Sequence, residues 1–286
     1  MDQRIINLYD EFTHGALSRR ALLDRLAQLG GGAAAAGTLL AVLQNDYARA
    51  AIVDENDPRL TTETVGYDVS GTRVSGYLAR LKGGGKRPAV LVIHENRGLN
   101  PHIKDVARRM AVEGFLAFAV DALSEGGGTP ADEDKAREMI GALDRAATVT
   151  RIAAAVPFLA GHAESNGNVG AVGFCWGGAM TNRVAAAGTG LAAAVPYYGS
   201  TLAAEDVPKV GCALLLQYAG QDERINAGIP AYEAALKQHG KSYEVYVYEG
   251  AQHAFNNDTN AARYNKAAAE LAWGRTIAFL KKQLGA

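Results

Sequence analysis

The stretch VGAVGFCWGG, residues 169–178, decides the fold. Its first four residues form a short apolar run typical of a buried strand, and a helical pattern follows it. Between them, a cysteine with a glycine two residues away on either side matches the strand–turn–helix pattern G-x-S-x-G, with Cys175 in place of serine. Such a turn strains the backbone, and its glycines remove side chains that would collide with neighbouring elements. We call residues 173–177 the elbow, and expect its thiol at the beginning of a helix, where N–H groups and the helix dipole favour the thiolate.

The two cysteines of the chain have different contexts. For Cys175 the alternative is a buried structural cysteine in a glycine-rich turn. Cys212 precedes an apolar strand and lacks the elbow pattern, so we interpret it as structural. Neither a spaced metal-binding cluster nor a disulfide framework follows from two cysteines, and no nucleotide-binding fingerprint occurs. We therefore expect no cofactor and no metal.

Composition and charge indicate a soluble globular protein. The chain has 286 residues, of which 48% are hydrophobic and 21% charged, enough for one large domain with a sizeable core. Lys and Arg number 29 against 30 Asp and Glu. The resulting net charge of −1 provides no field that would recruit nucleic acid or an anionic membrane.

Apolar runs typical of buried parallel strands alternate with helical patterns along the chain. An antiparallel hairpin, formed by Thr64–Val69 and Arg73–Arg80, is expected at one edge of the sheet. The alternation predicts an α/β fold with a mostly parallel twisted sheet and helices on both faces, where ligands bind at the carboxyl ends of the strands. The predicted strands are 88–94, 115–120, 169–173, 192–197, 213–218 and 243–248; the predicted helices are 103–112, 131–159, 177–187, 229–238 and 261–284.

Two residues beyond later strand ends complete the order nucleophile, acid, histidine. The strand ALLLQYAG, residues 213–220, leads into Asp222, and YEVYVYEG, residues 243–250, leads into His253. A thiolate nucleophile needs a base that an acid orients. Singly, each residue has a plain explanation as a turn residue or a structural histidine. Their order and their shared edge with Cys175 favour a catalytic triad.

The other histidines are given no part in the reaction. His94 closes a strand and could approach the site, but it precedes Cys175 in the chain. The remaining four are interpreted as helix or loop surface: His14, His102, His162 and His239.

The N-terminal segment, residues 1–57, has two interpretations. Ser18-Arg19-Arg20 and the apolar run after it resemble a twin-arginine export signal ending at Ala48-Arg49-Ala50, which would place the protein in the periplasm. Alternatively, Ser18 caps an amphipathic helix and the segment is a retained helical extension. Acidic residues in the segment favour the second interpretation and a cytoplasmic location. No stretch is long and apolar enough to predict a stable membrane span.

Taken together, the ordered motifs resemble the dienelactone hydrolase family of carboxymethylenebutenolidase-like enzymes, which have the α/β-hydrolase fold. The matches are GFCWGG at 173–178, YAGQD at 218–222, GAQHAF at 250–255, and His94-Glu95 with Gly98. The likeness begins near residue 61. We therefore expect residues 58–286 to form an α/β-hydrolase domain.

The resemblance implies roles for further residues. Glu95 matches a family glutamate that interacts with the resting thiol and takes part in its activation. Backbone N–H groups of Trp176 and Asn96 would hold the oxyanion, in agreement with the general rule for this fold. The alternatives are an exposed loop carboxylate for Glu95 and a packing role for Tyr198. The expected pocket residues are Trp176, Tyr198, Phe255 and Arg97.

One departure from the family concerns the substrate. Members that act on dienelactone bind its carboxylate with arginines, one of them shortly after the histidine motif, where this chain has Asn256-Asn257-Asp258. Arg97, Arg224 and Arg263 are candidates to replace it. Activity on dienelactone itself is therefore not implied.

These observations predict a hydrolase that cleaves a small ester or lactone through a Cys–His–Asp triad and an acyl-enzyme intermediate. The alternative is a non-catalytic protein of the same fold that binds a small molecule. A redox-sensing thiol protein ranks lower, because no second cysteine lies near Cys175 in the sequence. The expected partner is a small molecule rather than nucleic acid or membrane, and a homodimer is left open.

Overall fold

A computed structural model describes residues 1–15, 17–47 and 51–285 of the chain. Within these ranges, one eight-stranded sheet runs in the order β1-β2-β4-β3-β5-β6-β7-β8. The first two pairs in this order, β1 with β2 and β2 with β4, are antiparallel, and all the others are parallel. This confirms the predicted α/β-hydrolase fold. The strands are β1 (Leu60–Val69), β2 (Thr72–Leu81), β3 (Arg87–Ile93), β4 (Leu116–Val120), β5 (Ser165–Phe174), β6 (Ala193–Tyr197), β7 (Ala213–Ala219) and β8 (Tyr243–Tyr248).

Helices cover both faces of the sheet because successive residues of each strand point to opposite sides. In β3, Val90 and Val92 pack in the core that α4 and α11 cover. Leu91 and Ile93 pack in the opposite core, under α7, α8 and α10. The helices are α1 (Gln3–Thr13), α2 (Arg19–Gly30), α3 (Ala33–Leu43), α4 (Pro101–Val112), α5 (Glu133–Ala142), α6 (Arg145–Ala153), α7 (Ala155–Ala160), α8 (Trp176–Ala185), α9 (Glu223–Asn226), α10 (Ile229–Gln238) and α11 (Lys266–Leu284).

The predicted edge hairpin is formed by β1 and β2. Its two-residue turn, Ser70-Gly71, has φ values of 51° and 76°. Positive φ at both positions gives the turn a twist that matches the flanking strands. The first strand begins at Leu60, earlier than the sequence pattern indicated.

The helical pattern over residues 131–159 is not continuous. It divides into α5, α6 and α7. Leu143 is extended, with ψ of 135°, and Asp144 then caps α6 by accepting a hydrogen bond from the Ala147 N–H at 2.7 Å. Because the residues on both sides of the break favour helix, the periodicity of the sequence does not reveal this cap.

The N-terminal segment forms three helices with a small core of their own. We call residues 1–15 and 17–47 the arm. The core includes Tyr9, Phe12, Leu22 and Leu26, and Ala262 of the main sheet domain packs against it. The expected cap is present, since Ser18 Oγ accepts a hydrogen bond from Ala21 N–H at 3.2 Å. The cleavage-like triplet at 48–50 lies outside the described residues.

No single helix in the described ranges has the length and apolar character needed to cross a membrane. The helices α2 and α3 reach that length and composition only as a pair, and they meet at a bend of 112°.

Candidate active site

The elbow has the strained geometry that its sequence predicts. Strand β5 ends at Phe174, Cys175 has φ 54° and ψ −114°, and α8 begins at the next residue. A Cβ on Gly173 would lie 2.2 Å from the Gly177 carbonyl oxygen, and one on Gly177 would lie 2.3 Å from the Ile93 carbonyl oxygen. Only glycine fits at both positions, and the sulfur is held above the carboxyl end of β5.

The sheet topology explains why this edge is a ligand site. From β3 the chain crosses to β4 on one side, and it then returns to β5 on the other. Loops that leave in opposite directions open a crevice at such a switch point. Glu95 and Asn96 follow β3, and Cys175 follows β5, so the two loops meet across the crevice.

Asp222 and His253 form a buried pair. The loops after β7 and β8 bring His253 Nδ1 within 2.5 Å of Asp222 Oδ2. An ionised carboxylate only accepts, so Nδ1 carries the proton and Nε2 is turned to the opposite side. No hydrogen-bond partner for Nε2 occurs among the described residues. The ligating atoms of His253, Cys175 and a third residue, His14, all lie within 4.8 Å of one another.

His14 is the main residue that sequence reasoning missed. The sequence pattern predicts a surface position for His14, which is wrong, because only 20% of its side chain is exposed and it lies beside the elbow. His14 Nε2 lies 3.4 Å from Cys175 Sγ, and its ring packs edge-on against His253 with 4.8 Å between the centroids. The residue directly follows α1 as its C-cap, so the arm carries it into the site.

The two imidazoles change the acidity of the thiol. Burial raises the pKa of Cys175, but His253 and then His14 outweigh it and lower the pKa to about 6. For His253, burial lowers the pKa, and the Cys175 sulfur together with the Asp222 carboxylate raises it well above its usual value. A thiolate beside imidazolium is therefore the favoured resting state near neutral pH.

Glu95 is buried, which excludes an exposed loop carboxylate. Its Oε2 accepts a hydrogen bond from Asn257 Nδ2 at 2.8 Å. Within the described ranges no partner reaches Oε1. Glu95 and Cys175 line a common small cavity of about 10 Å³ beside His253.

The two expected oxyanion donors lie on opposite sides of the crevice. Trp176 is the first residue of α8, and first-turn N–H groups have no intrahelical acceptor. The half-buried indole of Trp176 stacks on His94, with centroids 5.3 Å apart. The Asn96 side chain donates to the Thr13 carbonyl oxygen of the arm at 2.6 Å.

Tyr198 and Phe255 differ in their relation to the pocket. Tyr198 follows β6 with φ of 37°, and its ring centroid lies 5.1 Å from that of His253. Phe255 is fully buried behind it, 5.4 Å from Tyr198 and 5.0 Å from Tyr248. Phe255 therefore supports the pocket wall, whereas Tyr198 forms part of it.

The candidate arginines contact the arm. Arg97 donates to the Tyr9 hydroxyl at 2.8 Å and pairs with Glu133 at 3.0 Å. Arg263 is buried with its guanidinium 5.1 Å from the Tyr9 ring centroid. Arg224 is half-exposed, and of the three only Arg224 lines the main cavity over the described residues.

His102 also differs from its predicted surface position. It is 1% exposed, and its Nδ1 lies 3.1 Å from Asp258 Oδ1. This pair lies on α4 and the loop after His253, and it helps to hold that loop. A histidine on the apolar face of a helix is compatible with a buried or a surface position, so the sequence pattern alone does not place His102.

A cavity of about 660 Å³ opens over the elbow. The thiol, the indole of Trp176, the phenol of Tyr198 and both histidines line it, and Arg137, Arg145 and Arg224 add positive charge. This volume suits a small organic molecule.

Comparisons with known proteins agree with this architecture. A model of the dienelactone hydrolase family matches residues 74–284. A "Putative carboxymethylenebutenolidase" of Saccharolobus solfataricus is 31% identical over 252 residues, which is 76% of this chain and 96% of that protein. A "Probable 2-oxo-3-(5-oxofuran-2-ylidene)propanoate lactonase" of Bradyrhizobium is 30% identical over 244 residues, 79% of this chain and 98% of that protein.

Solved structures give the same result. A "Putative Dienelactone Hydrolase" from Klebsiella pneumoniae has a TM-score of 0.69 at 26% identity, and the match covers 77% of this chain and 97% of that one. The family match begins beyond the arm, at residue 74. The chain belongs to the dienelactone hydrolase family and has the α/β-hydrolase fold.

Proposed function

We propose that the protein hydrolyses a small ester or lactone with Cys175 as nucleophile, His253 as general acid and base, and Asp222 as the residue that orients the histidine. Family membership supports the class of reaction, hydrolysis of a lactone or ester bond. The observation that carries the mechanism is the buried Asp222–His253 pair next to a thiol whose pKa lies near 6.

In the first step, the Cys175 thiolate attacks the carbonyl carbon of the substrate. The carbonyl oxygen becomes an oxyanion, which the Trp176 and Asn96 backbone N–H groups stabilise. The tetrahedral intermediate collapses as the His253 imidazolium protonates the departing alkoxide. The products of this step are the alcohol and a thioester on Cys175.

In the second step, water hydrolyses the thioester. Neutral His253 takes a proton from water, and the hydroxide attacks the acyl carbon. The sulfur leaves as thiolate and regains its ion pair with the protonated imidazole. Asp222 stabilises the positive charge on the ring in both steps. From the tetrahedral intermediate of a peptide, the Cys175 thiolate would leave more readily than the amine, and the substrate would re-form. Esters and lactones are therefore better substrates than peptides.

The test is replacement of the nucleophile. Cys175→Ala should lower kcat on an activated aryl ester by at least about a thousandfold, since removal of a nucleophile removes the whole covalent route. Cys212→Ala is the matched control and should retain the wild-type rate. Circular dichroism checks that both variants fold.

A wild-type rate in Cys175→Ala would overturn the proposed mechanism. Absence of turnover of any ester or lactone by the wild-type chain, across a panel of small substrates, would instead favour the non-catalytic binding protein. Mass spectrometry of wild-type enzyme quenched during turnover should find the acyl group on the peptide that contains Cys175.

A further inference from the structure

We propose that His14, carried by the arm, is a second catalytic histidine of this site, which shares the Cys175 proton with His253 and keeps the sulfur ionised. The inference rests on the proposed function, and it extends the reaction centre beyond the matched family region, which begins at residue 74. It gives the arm a part in the chemistry.

The first support is the orientation of the His14 ring. Its Nδ1 lies 2.8 Å from the Asp10 carbonyl oxygen and 3.3 Å from the Asp10 carboxylate. Both oxygens only accept, so Nδ1 carries a proton. The opposite nitrogen, Nε2, is then directed at Cys175 Sγ, 3.4 Å away. Either Nε2 accepts the thiol proton or, once protonated, it donates to the thiolate.

The second support is the parallel with His253. His253 Nδ1 donates to the Asp222 carboxylate, as His14 Nδ1 donates to the Asp10 backbone carbonyl with the Asp10 carboxylate close by, and His253 Nε2 lies on the side of the sulfur. Cys175 thus lies between two imidazoles, each oriented by an aspartate on its far side. An acceptor behind an imidazole fixes its tautomer, and a carboxylate near it raises its basicity, so both rings are suited to accept the same proton.

The charges around His14 favour this role on balance. Cys175 and Asp10 raise the pKa of His14 against the effect of burial, while His253 opposes them. Arg224 Nη2 donates to Nε2 of the neutral His14 ring at 3.1 Å, and the charge of the guanidinium also opposes protonation of that ring. Arg224 is half-exposed, so water screens its charge, whereas the sulfur is buried. Beyond Asp10, Arg263 lies 3.9 Å from its carboxylate and helps to keep it ionised.

The third support is that the arm is fixed in place independently of His14. Asn96 donates to the Thr13 carbonyl oxygen at 2.6 Å, and Arg137 donates to that of Phe12. The Arg137 guanidinium also lies 3.9 Å from the Phe12 ring centroid. These contacts hold both residues that precede His14, so a substitution of the imidazole should leave the arm docked.

His14 does not seal the site. The main cavity contacts both His14 and the thiol, and 20% of the imidazole side chain is exposed to solvent. A substrate in this cavity therefore meets the sulfur with one imidazole on each side. This arrangement indicates that His14 takes part in the reaction rather than blocking access to the thiol.

The test follows ionisation of the Cys175 thiol through its rate of alkylation, because the thiolate is the form that reacts. Alkylation of Cys175 by iodoacetamide is followed from pH 5 to pH 9, with a chelator present to exclude metal. Burial raises the pKa of Cys212 to about 12, so that thiol stays protonated and unreactive. In His14→Gln the thiol pKa should rise by about one unit, which slows alkylation at pH 6 about fivefold. Asp10→Asn, which removes the charge behind the ring, should shift the pKa in the same direction by less.

His239→Gln, an exposed histidine far along the chain, is the matched control and should leave the profile unchanged. The hydrolysis rate of His14→Gln should be reduced most at low pH and recover towards pH 9, where the thiol ionises without help. A loss from misfolding would not recover in this way.

An alkylation profile equal to wild type in His14→Gln and Asp10→Asn would overturn the inference. A rise in kcat/KM of His14→Gln at all pH values would also overturn it, because it would show that the imidazole blocks the site. Failure of the proposed function is distinguishable, since it would appear as full activity in Cys175→Ala whatever the thiol pKa.

Discussion

The electrostatics of single residues define the working state of the site. A buried thiol alone would resist ionisation, and Cys212 illustrates this with a pKa raised to about 12 by burial. Cys175 is more deeply buried than Cys212, yet its pKa is lowered to about 6 because two imidazoles adjoin it. The difference between the two cysteines arises from their neighbours and not from exposure.

The pH dependence of hydrolysis follows from this pKa. Above pH 6 the Cys175 thiol is mostly ionised and reactive, and below it the thiol is protonated. We therefore expect kcat/KM for an activated ester to fall as the pH falls through about 6, tenfold for each further unit. A profile of kcat/KM from pH 4.5 to 8 checks this. An acid limb centred above pH 8 would show that the imidazoles do not lower the thiol pKa.

Asp222 can be tested without disturbing its structural bond. Besides contacting His253, its Oδ1 caps α9 by accepting from the Ile225 N–H at 3.4 Å. Asn retains a capping oxygen, so Asp222→Asn should fold normally. Because the amide cannot stabilise the imidazolium, kcat should fall on the order of 10²- to 10⁴-fold. Steady-state kinetics with a thermal melt as control decides, and a loss of less than about tenfold would contradict the orienting role.

The position of the three proposed triad residues at one edge of the sheet could be predicted because each lies in the loop after a strand, and parallel strands bring their carboxyl ends together. No comparable rule placed His14. Its partner Asp10 is four residues earlier on the same helix, which is also the ordinary pattern of a solvated helix surface. Only the docking of the arm, a tertiary event, distinguishes the two cases. Gly15, which follows His14 and has φ of 82°, indicates where the helix ends but not which part of the molecule that end contacts.

At the scale of elements, the elbow joins β5 to α8 by an approach too close for any side chain. The strand end, the first turn of the helix and the end of β3 are all within van der Waals contact there. Sequence spacing predicts this element well because the steric demand is local. The division of 131–159 into three helices could not be predicted equally well, since the break depends on one cap, Asp144, in a sequence that favours helix throughout.

The close approach at the elbow predicts a large effect for a single methyl group. In Gly173→Ala the new Cβ would lie 2.2 Å from the Gly177 carbonyl oxygen, so strand and helix must separate. We expect the free energy of unfolding to fall by at least about 1–3 kcal/mol and hydrolysis to be lost. Gly274→Ala is the matched control, because Gly274 lies within α11 with open space around it. That substitution should stabilise the protein by about 0.5–1 kcal/mol. Urea unfolding of both variants decides, and equal midpoints would contradict the steric account.

At the scale of the whole molecule, the arm and the sheet domain each have a core of their own, and residues of both line the cavity over the elbow. The arm core packs its own helices together, and polar contacts attach it to the loops after β3 and β8. Asn260 Nδ2 donates to the Leu43 carbonyl oxygen at 2.6 Å, and the Asp46 N–H donates to the Thr259 carbonyl oxygen at 2.8 Å. These loops also carry Glu95 and His253, so the contacts that attach the arm also hold the loops of the candidate site. Whether the segment is retained in the mature protein stays a prediction, but its removal would remove His14 from the site.

A substitution that unfolds the arm should therefore raise the pKa of the Cys175 thiol, although no residue of the candidate site is changed. Tyr9 is 1% exposed, packs against Phe12 with 6.1 Å between ring centroids and accepts a hydrogen bond from Arg97. Truncation of a buried aromatic costs about 3–5 kcal/mol, which exceeds the stability expected of a small three-helix unit with so few core residues. In Tyr9→Ala, hydrogen exchange should show loss of protection in α1–α3 with protection retained in β3 and β5. The pKa of Cys175 should then rise as in His14→Gln, because the His14 imidazole moves away with the arm.

Tyr67→Ala is the matched control. Tyr67 packs against Phe118 and Phe158 under the hairpin, so this substitution should lower global stability and leave the pKa of the Cys175 thiol unchanged. Equal loss of protection in the arm and the sheet of Tyr9→Ala would show instead that the two cores unfold as one unit.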